Sequence, residues 1–102
     1  MTKQKSKNAE KLSYSDVVDV LRIKCREEDS QTIGPISVGE IQAMLKIHKD
    51  IEVTDQTIRN KGIRKHGYFE KKYPDVCDVN NLGDTRLRGI ILKREEFLEV
   101  TE

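Results

Sequence analysis

Apolar positions along this chain follow helical spacing in its first part and strand-like density later. Tyr14, Val17, Val18, Leu21 and Cys25 recur at the spacing of one helix face, and the stripe runs out in the polar stretch Glu28-Asp29-Ser30-Gln31. Ser13 and Ser15 both offer capping hydroxyls, with Asp16 and Asp19 in the first turn, where the helix dipole favours acid. The pattern predicts a helix ending near Glu28. Gly34 and Pro35 then forbid helix, so Thr32 to Ile36 reads as a short extended link. Ser37 and Glu40 stand at capping-box spacing, and Ile41, Met44 and Leu45 give the stripe of a second short helix that stops near Ile47. From His48 to Val53 the chain is a polar connection with two apolar anchors.

Thr54 is the cap of a third helix, with Asp55 in its first turn and a thin buried face of Thr57, Ile58 and Ile63. Its outer face carries Gln56, Arg59, Asn60 and Arg64. Gly62 interrupts it: either the helix ends at Lys61, or it continues to His66 with Gly67 in the left-handed position, which keeps Ile63 on the apolar side. We favour the longer helix. Tyr68 to Tyr73, aromatic at both ends, reads as a strand closed by Pro74. Asp75 to Thr85 is rich in turn formers, and Arg88-Gly89-Ile90-Ile91-Leu92 has the β-branched density of a second strand. The two strands form a hairpin with a long tip, and Phe97 and Leu98 in a last helical turn are free to pack back.

Composition narrows this picture. The chain has 102 residues, of which 36% are charged and five are aromatic, which allows one small domain with narrow apolar faces. Residues 1–12, rich in lysine and without apolar periodicity, read as a disordered basic arm, and 13–102 as the domain. No stretch has the length of a bilayer span or the apolar core of a secretory signal, and two cysteines outside any paired motif suit a reducing compartment. An intracellular protein is expected.

The formal net charge of +1 hides an uneven distribution. Residues 1–12 carry +3, residues 54–73 carry +4 and residues 85–94 carry +4, which leaves −10 for the remainder. Three basic segments separated by acidic ones point to an anionic partner.

The order helix, extended link, helix, connection, basic helix, hairpin resembles a winged helix-turn-helix domain. The resemblance is carried by Val38 to Leu45, by Val53-Thr54-Asp55-Gln56-Thr57-Ile58-Arg59 and by Ile63-Arg64-Lys65-His66-Gly67-Tyr68-Phe69, which look like the family's second helix, recognition helix and exit into the wing. It spans about Ser13 to Phe97, with two departures: the connection before Val53 is longer than a tight turn, and Gly62 falls inside the recognition helix. The resemblance implies an α+β fold of three helices and a C-terminal two-stranded wing, and sequence-specific binding of double-stranded DNA, with transcription regulation as the expected role.

The side-chain chemistry independently suits that partner. Gln56, Thr57, Arg59 and Asn60 offer base-edge and phosphate contacts, glutamine or asparagine pairing with adenine and arginine with guanine. Arg64, Lys65, Lys71 and Lys72 suit phosphates. Arg86 and Arg88 either reach the DNA backbone or minor groove or pair with Asp75, Asp78 or Asp84 across the hairpin. A homodimer is expected from the small size of the module, with Phe97, Leu98 and the first helix as its surfaces. No catalytic motif, metal-ligand spacing, cofactor motif or small-molecule site is evident: Cys25, His48, His66 and Cys77 lack the short spacings of a zinc site. The rival reading is a winged helix that binds another protein, which calls for apolar residues on the outer face of the third helix.

Overall fold

The computed structural model describes residues 12–81 and 88–102, with only the backbone of Asn80, Asn81 and Arg88. These residues form an α+β fold of five helices and a three-stranded antiparallel sheet. Helix α1 (Tyr14–Glu27) leads into strand β1 (Thr32–Ser37) and helix α2 (Val38–Lys49). Helices α3 (Asp55–Asn60) and α4 (Tyr68–Lys72) follow, then strands β2 (Cys77–Asn81) and β3 (Arg88–Lys93) and helix α5 (Arg94–Val100). The sheet order is β1-β3-β2, so β3 is central.

Local signals explain the first half. Ser13 closes a full capping box with Asp16, its hydroxyl accepting from the Asp16 N–H and its own N–H donating to the Asp16 carboxylate. Ser37 caps α2 through the Glu40 N–H at 3.0 Å, but the reciprocal half of that box is absent: the Glu40 carboxylate meets Lys24 at 2.5 Å. Asp50, left-handed at φ 56°, ends α2 at Lys49, two residues beyond the expected stop.

The extended link is a strand. Ile33 and Ile36 are both fully buried although an odd separation puts them on opposite faces of a regular strand. A register shift between them resolves the conflict, since Ile33 pairs with Leu92 and Ile36 with Ile90. Gly34 sits inside that shift at φ +111°, where a Cβ would lie 2.6 Å from the Ile90 carbonyl oxygen. Only glycine fits there.

Four expectations need correction. The third helix stops at Asn60 rather than His66: Lys61 caps it and Gly62 turns the chain at φ +110°, with Phe69 only 2.8 Å from where a Cβ would be. His66, not Gly67, takes the left-handed conformation, at φ 60°. Tyr68 to Tyr73 forms helix α4 and its cap rather than a strand, because the spacing that suggested aromatic ends also places Tyr68 with Lys72 and Phe69 with Tyr73 at i, i+4. The first hairpin strand is instead β2, in the segment read as a loop. Cys77 and Val79 point into the core opposite Leu92 and Ile90, with Asp78 exposed between them. The three-helix, two-strand count is therefore replaced by five helices and three strands among the described residues.

One core joins these parts. Val17, Val20, Leu21 and Cys25 of α1, Ile41 and Leu45 of α2, Ile58, Ile63, Phe69 and Phe97 close over the inward side chains of the sheet. Leu12, counted with the arm from its sequence, belongs to this core at 2% exposure. Phe97, expected on a dimer surface, is fully buried, and Leu98 is half-buried with its carbonyl accepting from Arg22 at 2.8 Å.

Candidate nucleic-acid interface

Thr54 builds the start of α3. Its hydroxyl accepts from the Thr57 N–H at 3.2 Å and shares a hydrogen bond with the Thr57 hydroxyl, while Gln42 Nε2 donates to the Val53 carbonyl at 2.6 Å and ties the approach to α2. Ile58 anchors the helix in the core and turns Gln56, Arg59 and Asn60 outward. These three are joined: Arg59 Nη2 donates to Gln56 Oε1 at 2.8 Å, and Gln56 Nε2 donates to Asn60 Oδ1 at 3.1 Å.

The loop after α3 and helix α4 set the remaining cations around it. Arg64 and Lys71 are exposed, and their side chains make no hydrogen bond or ion pair among the described residues. Lys72 lies over the rings of Tyr68 and Tyr73, 5.6 and 5.8 Å from their centroids, and contact with Tyr68 raises its pKa. Lys61, expected only as part of the basic segment, lies 5.1 Å over Tyr14, whose ring stacks on Tyr68 at 3.8 Å. The start of α1, directly after the lysine-rich segment, is thereby pinned beside the end of α3. No periodicity signals this contact, since Tyr14 and Tyr68 are far apart in sequence.

Lys65 stands apart from its neighbours. Its ammonium bridges Glu70 at 3.3 Å and Asp78 at 3.2 Å, which raises its pKa. Glu70 is the hinge of this corner: one carboxylate oxygen accepts from the His66 N–H and the other from the Val79 N–H, each at 2.7 Å. Burial alone raises the Glu70 pKa, but these N–H groups and Lys65 outweigh it and hold the carboxyl below its usual value. Arg86 lies outside the described residues, as do the side chain of Arg88, the lysines of residues 1–11 and Asp84.

Cys25 and Cys77 are buried free thiols whereas His48 and His66 are exposed, and no three metal-binding side chains gather among the described residues. Burial, with Cys25 nearby, pushes the Cys77 thiol up to about 12, so it is protonated at neutral pH. No described helix is long and apolar enough to cross a membrane. Comparison of the chain with protein-family models, curated proteins and solved structures finds no match.

Proposed function

We propose that this protein binds double-stranded DNA as a small intracellular winged helix, with α3 in the major groove and transcription regulation as its role. The order α1-β1-α2-α3, closed by the β2-β3 hairpin whose second strand also pairs with β1, supports the fold reading. One observation carries the function: Arg59, Lys61, Arg64, Lys71 and Lys72 meet no carboxylate among the described residues, whereas every lysine of α1 and α2 is ion-paired. A set of outward cations without local counter-charge is suited to phosphates.

Binding to a duplex pool is the test. With about four phosphate contacts, from Lys61, Arg64, Lys71 and Lys72, log K is expected to fall against log salt with a slope of about −3 to −4. A folded sample that binds no duplex at low salt overturns the proposal. In that event protein contact takes its place, and two features of α2 favour it: Ile47 is 73% exposed, and a groove of about 590 Å³ whose lining includes Ala43, Ile51 and Val53 lies between α2 and the connection to α3. A palindromic preferred site would establish binding as a homodimer.

A further inference from the structure

Arginine carries N–H donors and no acceptor, so its bond to Gln56 decides which end of that amide faces it. The oxygen must turn toward Arg59. The Gln56 nitrogen is then directed at Asn60, and at 3.1 Å it meets the Asn60 oxygen, because two N–H groups do not bond each other. One guanidinium therefore sets the direction of the whole ladder.

The result is a lopsided surface. Both amide oxygens are engaged within the ladder, while Gln56 keeps its second N–H, Asn60 keeps both of its own, and Arg59 keeps all but one. Adenine presents a donor and an acceptor in the major groove and needs an amide that offers oxygen and nitrogen together. Guanine presents N7 and O6, both acceptors. Asp55 completes the pattern. It lies one turn before Arg59, at the spacing of a helical ion pair, yet Arg59 turns to Gln56 and Asp55 has no ion pair among the described residues. Its carboxylate is the one acidic side chain of α3, the helix that carries the row of donors.

We infer that α3 reads a G·C pair: Arg59, with the spare N–H groups of Gln56 and Asn60, donates to guanine N7 and O6, and Asp55 accepts from the N4 amino group of the paired cytosine. This rests on the duplex-binding reading and gives that surface a base preference. It also replaces the adenine pairing that Gln56 and Asn60 suggest as isolated side chains.

The test alters the DNA rather than the fold. A duplex selected from a random pool is remade with 7-deazaguanine, which lacks N7, or with inosine, which keeps N7 and O6 and loses only the minor-groove amino group. At the contacted guanine, 7-deazaguanine is expected to weaken binding about tenfold, and inosine to leave it within about twofold. Gln56→Glu, which turns the donor end of the amide into an acceptor, is expected to remove the preference for guanine over 7-deazaguanine. Equal affinity for guanine and 7-deazaguanine at every position, or a selected site of A·T pairs alone, overturns the base assignment and leaves duplex binding standing. Failure to bind any duplex overturns the duplex-binding reading and the inference with it.

Discussion

The seam between α1 and α5 and the face formed by α3 and α4 are both rich in cations, and they use them in opposite ways. At the seam, Arg94 Nε donates to the carbonyls of Cys25 and Glu28 at 2.7 and 2.8 Å, closing the C-terminal end of α1. Arg22 returns the contact, donating to the Leu98 carbonyl at 2.8 Å and the Thr101 hydroxyl at 2.5 Å at the end of α5. Each guanidinium satisfies carbonyls that a helix leaves open and sits at the negative end of its dipole. On the α3–α4 face, among the described residues, only Lys65 is neutralised by acids, through Glu70 and Asp78. Charge at the seam holds the fold, and charge on the face is left for something outside it. Counting cations along the sequence cannot make this distinction, and Arg94 shows why: it belongs to a basic segment and points inward.

The comparison breaks most sharply at Arg94. Arg94→Ala leaves half-buried carbonyls at the end of α1 without their charged donor, a loss of about 3 kcal/mol. For a domain of this size that lowers Tm by about 10 °C or more. The salt slope of duplex binding, measured below the new Tm, is expected to stay as in the parent protein. A changed slope with unchanged Tm would move Arg94 from the seam to the binding face.

Glu70 tests the boundary between the two uses, because its carboxylate ties the loop beneath the basic face to β2. Its folded pKa is lowered from 4.5, so its contribution is complete above pH 4.5 and is lost as pH falls through the folded value. Asp16 is lowered as well, burial being outweighed by the Ser13 N–H and hydroxyl and by Lys49, and it titrates in the same acid range. Glu70→Gln is expected to cost about 1 to 2 kcal/mol at pH 7 and to flatten, without abolishing, the fall in stability below pH 4.5, as read from urea unfolding at a series of pH values. An unchanged acid limb would remove Glu70 from the account.

What the sequence makes legible follows the range of the interactions. The caps at Ser13, Ser37 and Thr54 and the stripe of α2 are local and lie where their patterns predict, whereas in α1 Val17, Leu21 and Cys25 are buried as expected but Tyr14 is exposed and Val20 takes a buried place. Helix α4 is misread because Tyr68, Phe69 and Tyr73 satisfy either spacing, and the choice is made by Gly62, which lets Phe69 approach closely only when the chain turns there. Strand β2 is hidden by Asp78, Asn80 and Asn81, poor strand formers held by pairing with the strong strand β3. On the candidate face the residue types are legible, but the ladder from Arg59 to Asn60 and the neutralisation of Lys65 are geometric facts. Arg94 and Arg22 are the extreme cases, with partners 66 and 69 residues away for Arg94 and 76 and 79 for Arg22.

The smallest expected effect is the one that most sharpens the contrast. The side chains of Arg64 and Lys71 make no hydrogen bond or ion pair among the described residues, so Arg64→Gln and Lys71→Gln are expected to change stability by less than about 0.5 kcal/mol. If they face phosphates, each substitution reduces the magnitude of the salt slope by about 0.9, and the two together by about twice that, because separate phosphate contacts add. Base preference stays the same, since phosphate contacts position a protein without reading sequence. Salt titrations of the single and double variants against one duplex check this. Additive loss of slope at constant stability is the signature of charges that the fold does not use, and it is the reverse of what Arg94→Ala should show.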